Sequence, residues 1–282
     1  MGCLNHGQGF SHWFGNIHFS GPCNRACYFC IGQHMMALDA LNNLDKWPLE
    51  GIDEFIVECQ KHGVREINVT GSDTDPLLYK HMAKLKEYLK QHIPDLIFGL
   101  RTNGALIVSK PEVWALFDKA SITIQSLDPT IYKKMMGKGS VPDLEKILYM
   151  KGPDRVKINI VLGPENTENG DVFETVMGLS RLGYKTVNLR EPYGQARIGN
   201  PFEGYLQPTG YRLGMPYYNY RSVDVTYWDV HFVEVESVNL YASGRISVEY
   251  PISKGHAPTG VVLSQDNWTH GRHVEQWTNF QV

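Results

Sequence analysis

Cys23-Asn24-Arg25-Ala26-Cys27-Tyr28-Phe29-Cys30 places three of the chain's five cysteines on one short stretch, spaced four and then three apart. Thiolates are soft ligands that suit zinc and iron–sulfur clusters. Three on one loop leave an iron–sulfur cluster one ligand short of the usual four. An iron left open in this way is a place for a substrate or cofactor. The same loop also reads as a structural zinc site with His34 as fourth ligand, since Cys3His sets occur at such spacings. Free thiols and a disulfide are the remaining alternatives. The flanking residues give the loop its setting. Asn16 to Ser20 alternate about Ile17 and Phe19, as a short strand does, and Gly21-Pro22 ends it. The cysteine loop therefore opens directly off the first strand.

Beyond it, strand and helix patterns take turns. Ile52, Phe55, Ile56 and Cys59 fall at helix spacing and Gly63 closes that helix. Val64 to Thr70 reads as a strand, Leu77 to His92 as a helix and Leu96 to Arg101 as a third strand. Pro111 to Asp118 is a short helix with proline in its first turn. Ser121 to Gln125, Val156 to Leu162 and Thr186 to Leu189 complete six strands, with helices at Val141 to Met150 and Val172 to Leu182. Such alternation implies parallel strands joined by crossover helices. The fold class is therefore α/β, a partial (βα)6 barrel related to the eight-fold one, with its chemistry on the loops after the strands.

After residue 191 the character changes. Residues 192–221 are rich in Gly, Pro and Tyr, and residues 223–250 alternate about Val225, Tyr227, Val230, Val235, Val238 and Leu240. Ala242-Ser243-Gly244-Arg245 reads as a hairpin turn. His256, His270, His273, Trp268 and Trp277 follow without periodicity. Two units are expected: a barrel domain, 1–191, and a β-rich extension, 192–282, that caps the barrel mouth and selects the substrate.

Composition bounds the rest. A chain of 282 residues that is 42% hydrophobic and 20% charged reads as globular, and no apolar run reaches the ~18 residues of a membrane span. The expected location is cytoplasmic, where thiols stay reduced. A net charge of −3 advertises no polyanion partner, although a local basic face would be enough for nucleic acid. Cys3 and Cys59 are too few for a second four-cysteine cluster, and Cys59 sits in a helical pattern as a small hydrophobe.

The C-x3-C-x2-C spacing with an aromatic before the last cysteine resembles the signature of the radical S-adenosylmethionine (SAM) superfamily. The resemblance implies that Cys23, Cys27 and Cys30 hold a [4Fe-4S] cluster whose fourth iron binds SAM. It also implies reductive cleavage of SAM to a 5′-deoxyadenosyl radical and an external reductant of flavodoxin or ferredoxin type. Phe29 matches the family's aromatic, whose backbone lies near the adenine. Thr70-Gly71-Ser72-Asp73-Thr74-Asp75-Pro76 stands where the family has a Gly-Gly-Glu-Pro type segment, but holds one glycine. Gly71, Ser72 and Asp73 are the matching contacts there, with Asp73 or Asp75 facing a cation. Thr102 and Asn103 correspond to side chains near the methionine end of SAM, and Gln125 and Ser126 to those near the ribose. Leu162 corresponds to the apolar residue against adenine, and Arg190 suits a carboxylate. The match covers roughly residues 16–190. A small-molecule or nucleotide substrate is expected, and no membrane partner. A glycyl-radical activase and an RNA- or peptide-modifying enzyme are alternatives within the family. From another class comes a zinc-stabilised binding module using Cys23, Cys27, Cys30 and His34.

Overall fold

A computed structural model describes residues 13–35, 41–230 and 235–249. Cys3, His256, His270, His273, Trp268 and Trp277 lie outside the described residues. Six strands, β1 (Phe14–Phe19), β2 (Glu66–Gly71), β3 (Ile97–Thr102), β4 (Lys119–Thr123), β5 (Val156–Val161) and β6 (Thr186–Arg190), pair in chain order, all parallel. Between them run α1 (Gly32–Met35), α2 (Ile52–Lys61), α3 (Met82–His92), α4 (Pro111–Trp114), α5 (Pro129–Met136), α6 (Leu144–Lys151), α7 (Pro164–Thr167) and α8 (Asp171–Leu182).

The strands alternate for a physical reason. Ile17, Ile67, Val69, Phe98, Leu100, Ile122, Ile158, Ile160, Val187 and Leu189 are buried in one core with Phe55, Leu85, Leu89, Ile147, Val176 and Leu179 of the helices. Their neighbours Asn16, His18, Asn68, Arg101, Ser121, Lys157, Asn159 and Asn188 point to the opposite face, which is the barrel lumen. The outer face is apolar because helices cover it, and the inner face is polar.

Two expectations change. The helix expected from Leu77 to His92 is broken. Asp75 caps a single 3-10 turn, Pro76–Leu78, and the backbone then extends at Tyr79 before α3 begins. Tyr79 is buried there, stacked 4.4 Å from Phe19, with its hydroxyl donating to the Lys46 carbonyl. The sequence pattern places no helix between Gln125 and Val141, yet α5 lies there, capped by Asp128 through its bonds from the Thr130 and Ile131 amides. Tyr132, Met135 and Met136 of that helix are buried.

The strands after residue 191 join the same sheet. β7 (Gly210–Arg212), β8 (Met215–Tyr220) and β9 (Val223–Trp228) form a meander, and β9 runs parallel to β6 from Thr186↔Asp224 to Arg190↔Trp228. At the other edge β10 (Glu236–Leu240) runs parallel to β1, and β11 (Ile246–Glu249) turns back on it. The order is β11-β10-β1-β2-β3-β4-β5-β6-β9-β8-β7. The extension thus widens the barrel wall at both edges. Its first loop, near residues 192–199, reaches the mouth. Glu191 holds it by accepting from the Ile198 and Gly199 amides at 2.8 and 2.7 Å and from the Tyr227 hydroxyl.

A candidate cofactor site at the strand ends

The cysteine loop leaves the carboxyl end of β1 and is clasped from several sides. The loop after β2 takes hold first. Its Ser72 amide donates to the Phe19 carbonyl at 2.7 Å, Asp73 Oδ1 accepts from the Gly21 amide, and Thr74 Oγ1 donates to the Pro22 carbonyl. This close approach needs Gly71, since a Cβ there would lie 1.7 Å from the Thr74 carbonyl oxygen. From β3, Asn103 Nδ2 donates to Asn24 Oδ1 at 2.7 Å. From the end of α5, the Met136 carbonyl accepts from the Ala26 amide, and Lys138 Nζ donates to the Cys23 carbonyl. Gly137, at φ 74°, lets that segment pass beside Ala26, whose carbonyl oxygen would be 2.3 Å from a Cβ. Beyond β5, Glu165 accepts from the Tyr28 hydroxyl at 2.6 Å, and the loop after β6 adds Gln195 Nε2 on the Tyr28 carbonyl.

Cys23, Cys27 and Cys30 are free and half-buried on this loop. Burial raises all three thiols above their usual range, Cys27 to about 12. Cys27 and Cys23 are raised further by their neighbours among the three thiols. Three thiolates here repel one another and call for a cation. Among the described residues no three His, Cys, Asp or Glu side chains converge on one ion position. A single zinc draws its ligands to ~2.0–2.3 Å, whereas an iron–sulfur cluster takes thiolates on separate irons. His34, the fourth ligand of the zinc reading, packs edge-on to Tyr193 and against Gly194 instead. With His34 engaged there, the three cysteines remain as the donor set, the number a [4Fe-4S] cluster with one open iron takes.

The other expected contacts divide. Phe29 is half-buried, packs against the core and meets Tyr28 edge-on. Thr102 is buried, and its hydroxyl donates to Asp75 Oδ2 at 2.7 Å while accepting from the Gly104 amide. Asp75 also accepts from the Asn103 and Leu77 amides. It is fully buried, and burial pushes its carboxyl up despite those bonds. Asp75 thus ties the loops after β2 and β3 together. Ser126 is fully buried with its hydroxyl donated to Asp171 at 2.9 Å and accepting from the Asp128 amide. Gln125 is also fully buried. Its Oε1 accepts from the Val161 amide, but its Nε2 has no partner. Leu162 is buried with its amide on the Arg190 carbonyl, and Arg190 lies over the Trp228 ring at 6.0 Å.

Sequence reading missed several members. Asn166 is wholly buried and donates to the Gln125 and Val161 carbonyls, fixing the ends of β4 and β5 together. Met136 Sδ stands 3.6 Å from Cys27 Sγ. His18, in the lumen below the cysteine loop, gives Nε2 to Asn239 Oδ1 and leaves Nδ1 unpartnered. Burial lowers its pKa to about 4. No local motif marks these residues. The alternation of polar Asn16, His18 and Ser20 with Ile17 and Phe19 was the one available signal for His18.

Comparison with known proteins places this geometry. The family description "Radical SAM superfamily" matches residues 17–176. A probable GTP 3′,8-cyclase of Thermococcus kodakarensis is 25% identical over 68% of this chain and 61% of that protein. One from Methanococcus aeolicus is 29% identical over 55% of this chain and 51% of its own length. The chain thus spans about half to three fifths of these curated relatives. The solved structure of Streptococcus suis SuiB bound to S-adenosylmethionine superposes on 89% of this chain and 60% of that one, with a TM-score of 0.57 and 13% identity, a likeness of fold.

Proposed function

The chain belongs to the radical SAM superfamily, and from that premise we propose that it abstracts hydrogen from a small-molecule or nucleotide substrate held in the barrel lumen. Its cofactors are a [4Fe-4S] cluster and S-adenosylmethionine. When bound, they supply a 5′-deoxyadenosyl radical, given an electron from an external reductant of flavodoxin or ferredoxin type. The observation that carries the reading is the free cysteine triad on a loop clasped by the ends of β2, β3 and α5.

The protein's own part is to hold and to shield. Cys23, Cys27 and Cys30 are the ligands. The clasping bonds fix the loop before the cofactors arrive, which lowers the ordering cost of binding. Gln125 Nε2 is a buried donor without a partner, and a buried donor left unmade costs about 1–3 kcal/mol. A ligand oxygen at the end of β4 satisfies it. Gly71, Ser72, Asp73 and Asn103 bring backbone to the rim, and Phe29, Leu162 and Arg190 complete the wall. The loop near 192–199 meets the cysteine loop through Gln195 on the Tyr28 carbonyl, on the side where hydrogen-abstraction chemistry requires water to be kept out. The extension, 192–282, acts as the substrate-selecting unit.

Relatives named GTP 3′,8-cyclase favour a nucleotide over other small molecules. The test is anaerobic reconstitution followed by reduction with dithionite and SAM. Brown protein with iron and sulfide near four each per chain, releasing 5′-deoxyadenosine, supports the reading. Colourless protein that binds one zinc and releases none rejects it.

A further inference from the structure

Resting on that lumen as the substrate site, we propose that the substrate is an anion whose phosphate or carboxylate group is taken by Arg101 and Lys157. Both side chains project from the polar face of the sheet, opposite the buried Leu100, Ile158 and Ile160. Their positions follow from register. Arg101 lies beside Ser121, and Ser121 lies beside Lys157. The Cα atoms of the two residues therefore stand about 10 Å apart, two strand spacings, across one small side chain. That leaves room for an oxyanion between them.

The charges of this wall do not cancel. Glu66, on the same face, pairs with Lys119 at 2.5 Å and also accepts from Asn68. Asp224 pairs with Arg212 at 2.8 Å. Among the described residues, neither Arg101 nor Lys157 has a carboxylate within ion-pair distance. Lys157 is reached by solvent yet hemmed in by protein. That surround, and then the fields of Arg101, Arg190 and Lys119, lower its ammonium to about 8. Holding like charges together costs stability that an anion would return.

The wall around the cations is built for a ligand with hydrogen-bonding groups. Asn159, two residues from Lys157 on the same face and buried, has an Oδ1 with no partner. Trp228 Nε1, on β9 at the register of Arg190, is a second buried polar atom without a partner on this face. A polar face with two cations outside any ion pair and orphaned polar atoms suits a small polar anion. A plain apolar substrate would leave all of these groups unsatisfied.

The test titrates the full-length, anaerobically reconstituted protein at low salt with inorganic tripolyphosphate, succinate, GTP and guanosine, by calorimetry. At least one anion is expected to bind, with guanosine at least tenfold weaker than GTP if the group is a phosphate, and succinate the strongest if it is a carboxylate. Lys157→Gln and Arg101→Gln should each weaken that binding tenfold or more, and Lys157→Arg should restore most of it. If Lys157→Gln loses its cooperative thermal transition, Arg101→Gln decides. No saturable binding of any of the three anions, or wild-type affinity in the charge-removing variants, overturns the proposal. The enzymatic reading is tested apart, by 5′-deoxyadenosine release from the wild-type protein. Failure there with charge-dependent anion binding intact rejects the chemistry and leaves the anion site.

Discussion

The cysteine loop and the loops after β2, β3 and β4 meet at one mouth but use their polar atoms in opposite ways. On the cysteine loop the backbone and the flanking side chains are engaged, and the three thiols are left for a ligand. At the ends of β3 and β4 the side chains themselves are engaged, Thr102 on Asp75 and Ser126 on Asp171. One region offers its side chains. The other uses side chains to hold its shape and offers backbone, together with the single amide of Gln125. A strand-end hydroxyl in the right place is therefore not by itself a ligand contact. Its partners within the protein come first, because a buried hydroxyl must be paired whether or not a ligand is present.

The sharpest break of this contrast is at the cysteines. Cys27→Ala should abolish the cluster, with iron per chain falling to background, and 5′-deoxyadenosine release should vanish with it. Cys59→Ala, on the buried face of α2, should keep both. Iron retained at the wild-type level in Cys27→Ala would remove the loop from the cofactor site.

A second test strikes the shape of the loop after β2. Gly71→Ala puts a methyl group where the Thr74 carbonyl oxygen sits, and backbone gives way less readily than a side chain. The cost should be about 3 kcal/mol, at the upper end of overpacking. The clasp on Gly21 and Pro22 should loosen with it, so iron uptake should fall as well as the thermal midpoint. A fall in midpoint with unchanged iron uptake would separate the two loops.

Much of this was legible beforehand. Six strands and most of their helices could be read because periods of 2 and 3.6 are local, and Gly and Pro mark their ends. The cysteine triad was legible for the same reason, being one short stretch. What was not legible is pairing at a distance. Nothing near Asp75 announces that its carboxylate will bind Thr102 and Asn103. Nothing in the alternation about Val225 or Val238 says that β9 will lie against β6 and β10 against β1. Alternation specifies a strand and its faces, not its neighbour. α5 escaped because it is only eight residues long, held by the Asp128 cap and the buried Tyr132, Met135 and Met136.

A third prediction concerns pH and sets His18 against Asp75, two buried groups on neighbouring strands or their loops. The folded pKa of His18 is depressed to about 4, so the unfolded chain, with an ordinary histidine near 6.5, takes up the proton more readily. Stability from the neutral ring is full above about pH 6.5 and is lost as pH falls toward 4, by about 3 kcal/mol at most. Asp75, raised by burial, acts in the opposite sense, gaining stability as it is protonated in acid. His18→Gln should therefore flatten the loss between pH 6.5 and 4 in denaturant melts, leaving a profile that the carboxyl groups dominate. An unchanged slope would mean that the ring is charged or solvated in the folded protein.

The smallest effect expected is also the one that tests the contrast most finely. Ser126→Ala removes a hydroxyl that donates to Asp171 and accepts from the Asp128 amide, at the start of α5. Burial already pushes the Asp171 carboxyl up, and losing the serine removes a bond that favours its ionised form. The loss should appear chiefly as stability, about 1.5 kcal/mol, the low end for a hydrogen bond to a charged group. The apparent SAM constant should then move less than threefold, by slackening of the β4 end. Gln125→Leu is the counterpart. It also removes Oε1 from the Val161 amide, so some stability is lost there too, but it deletes the one unpartnered donor at that strand end. Its SAM constant should rise further than that of Ser126→Ala for an equal loss of stability. If Ser126→Ala instead raises the SAM constant tenfold with no change in melting, the serine hydroxyl turns to the ligand on binding. The mouth would then use its side chains as the cysteine loop does.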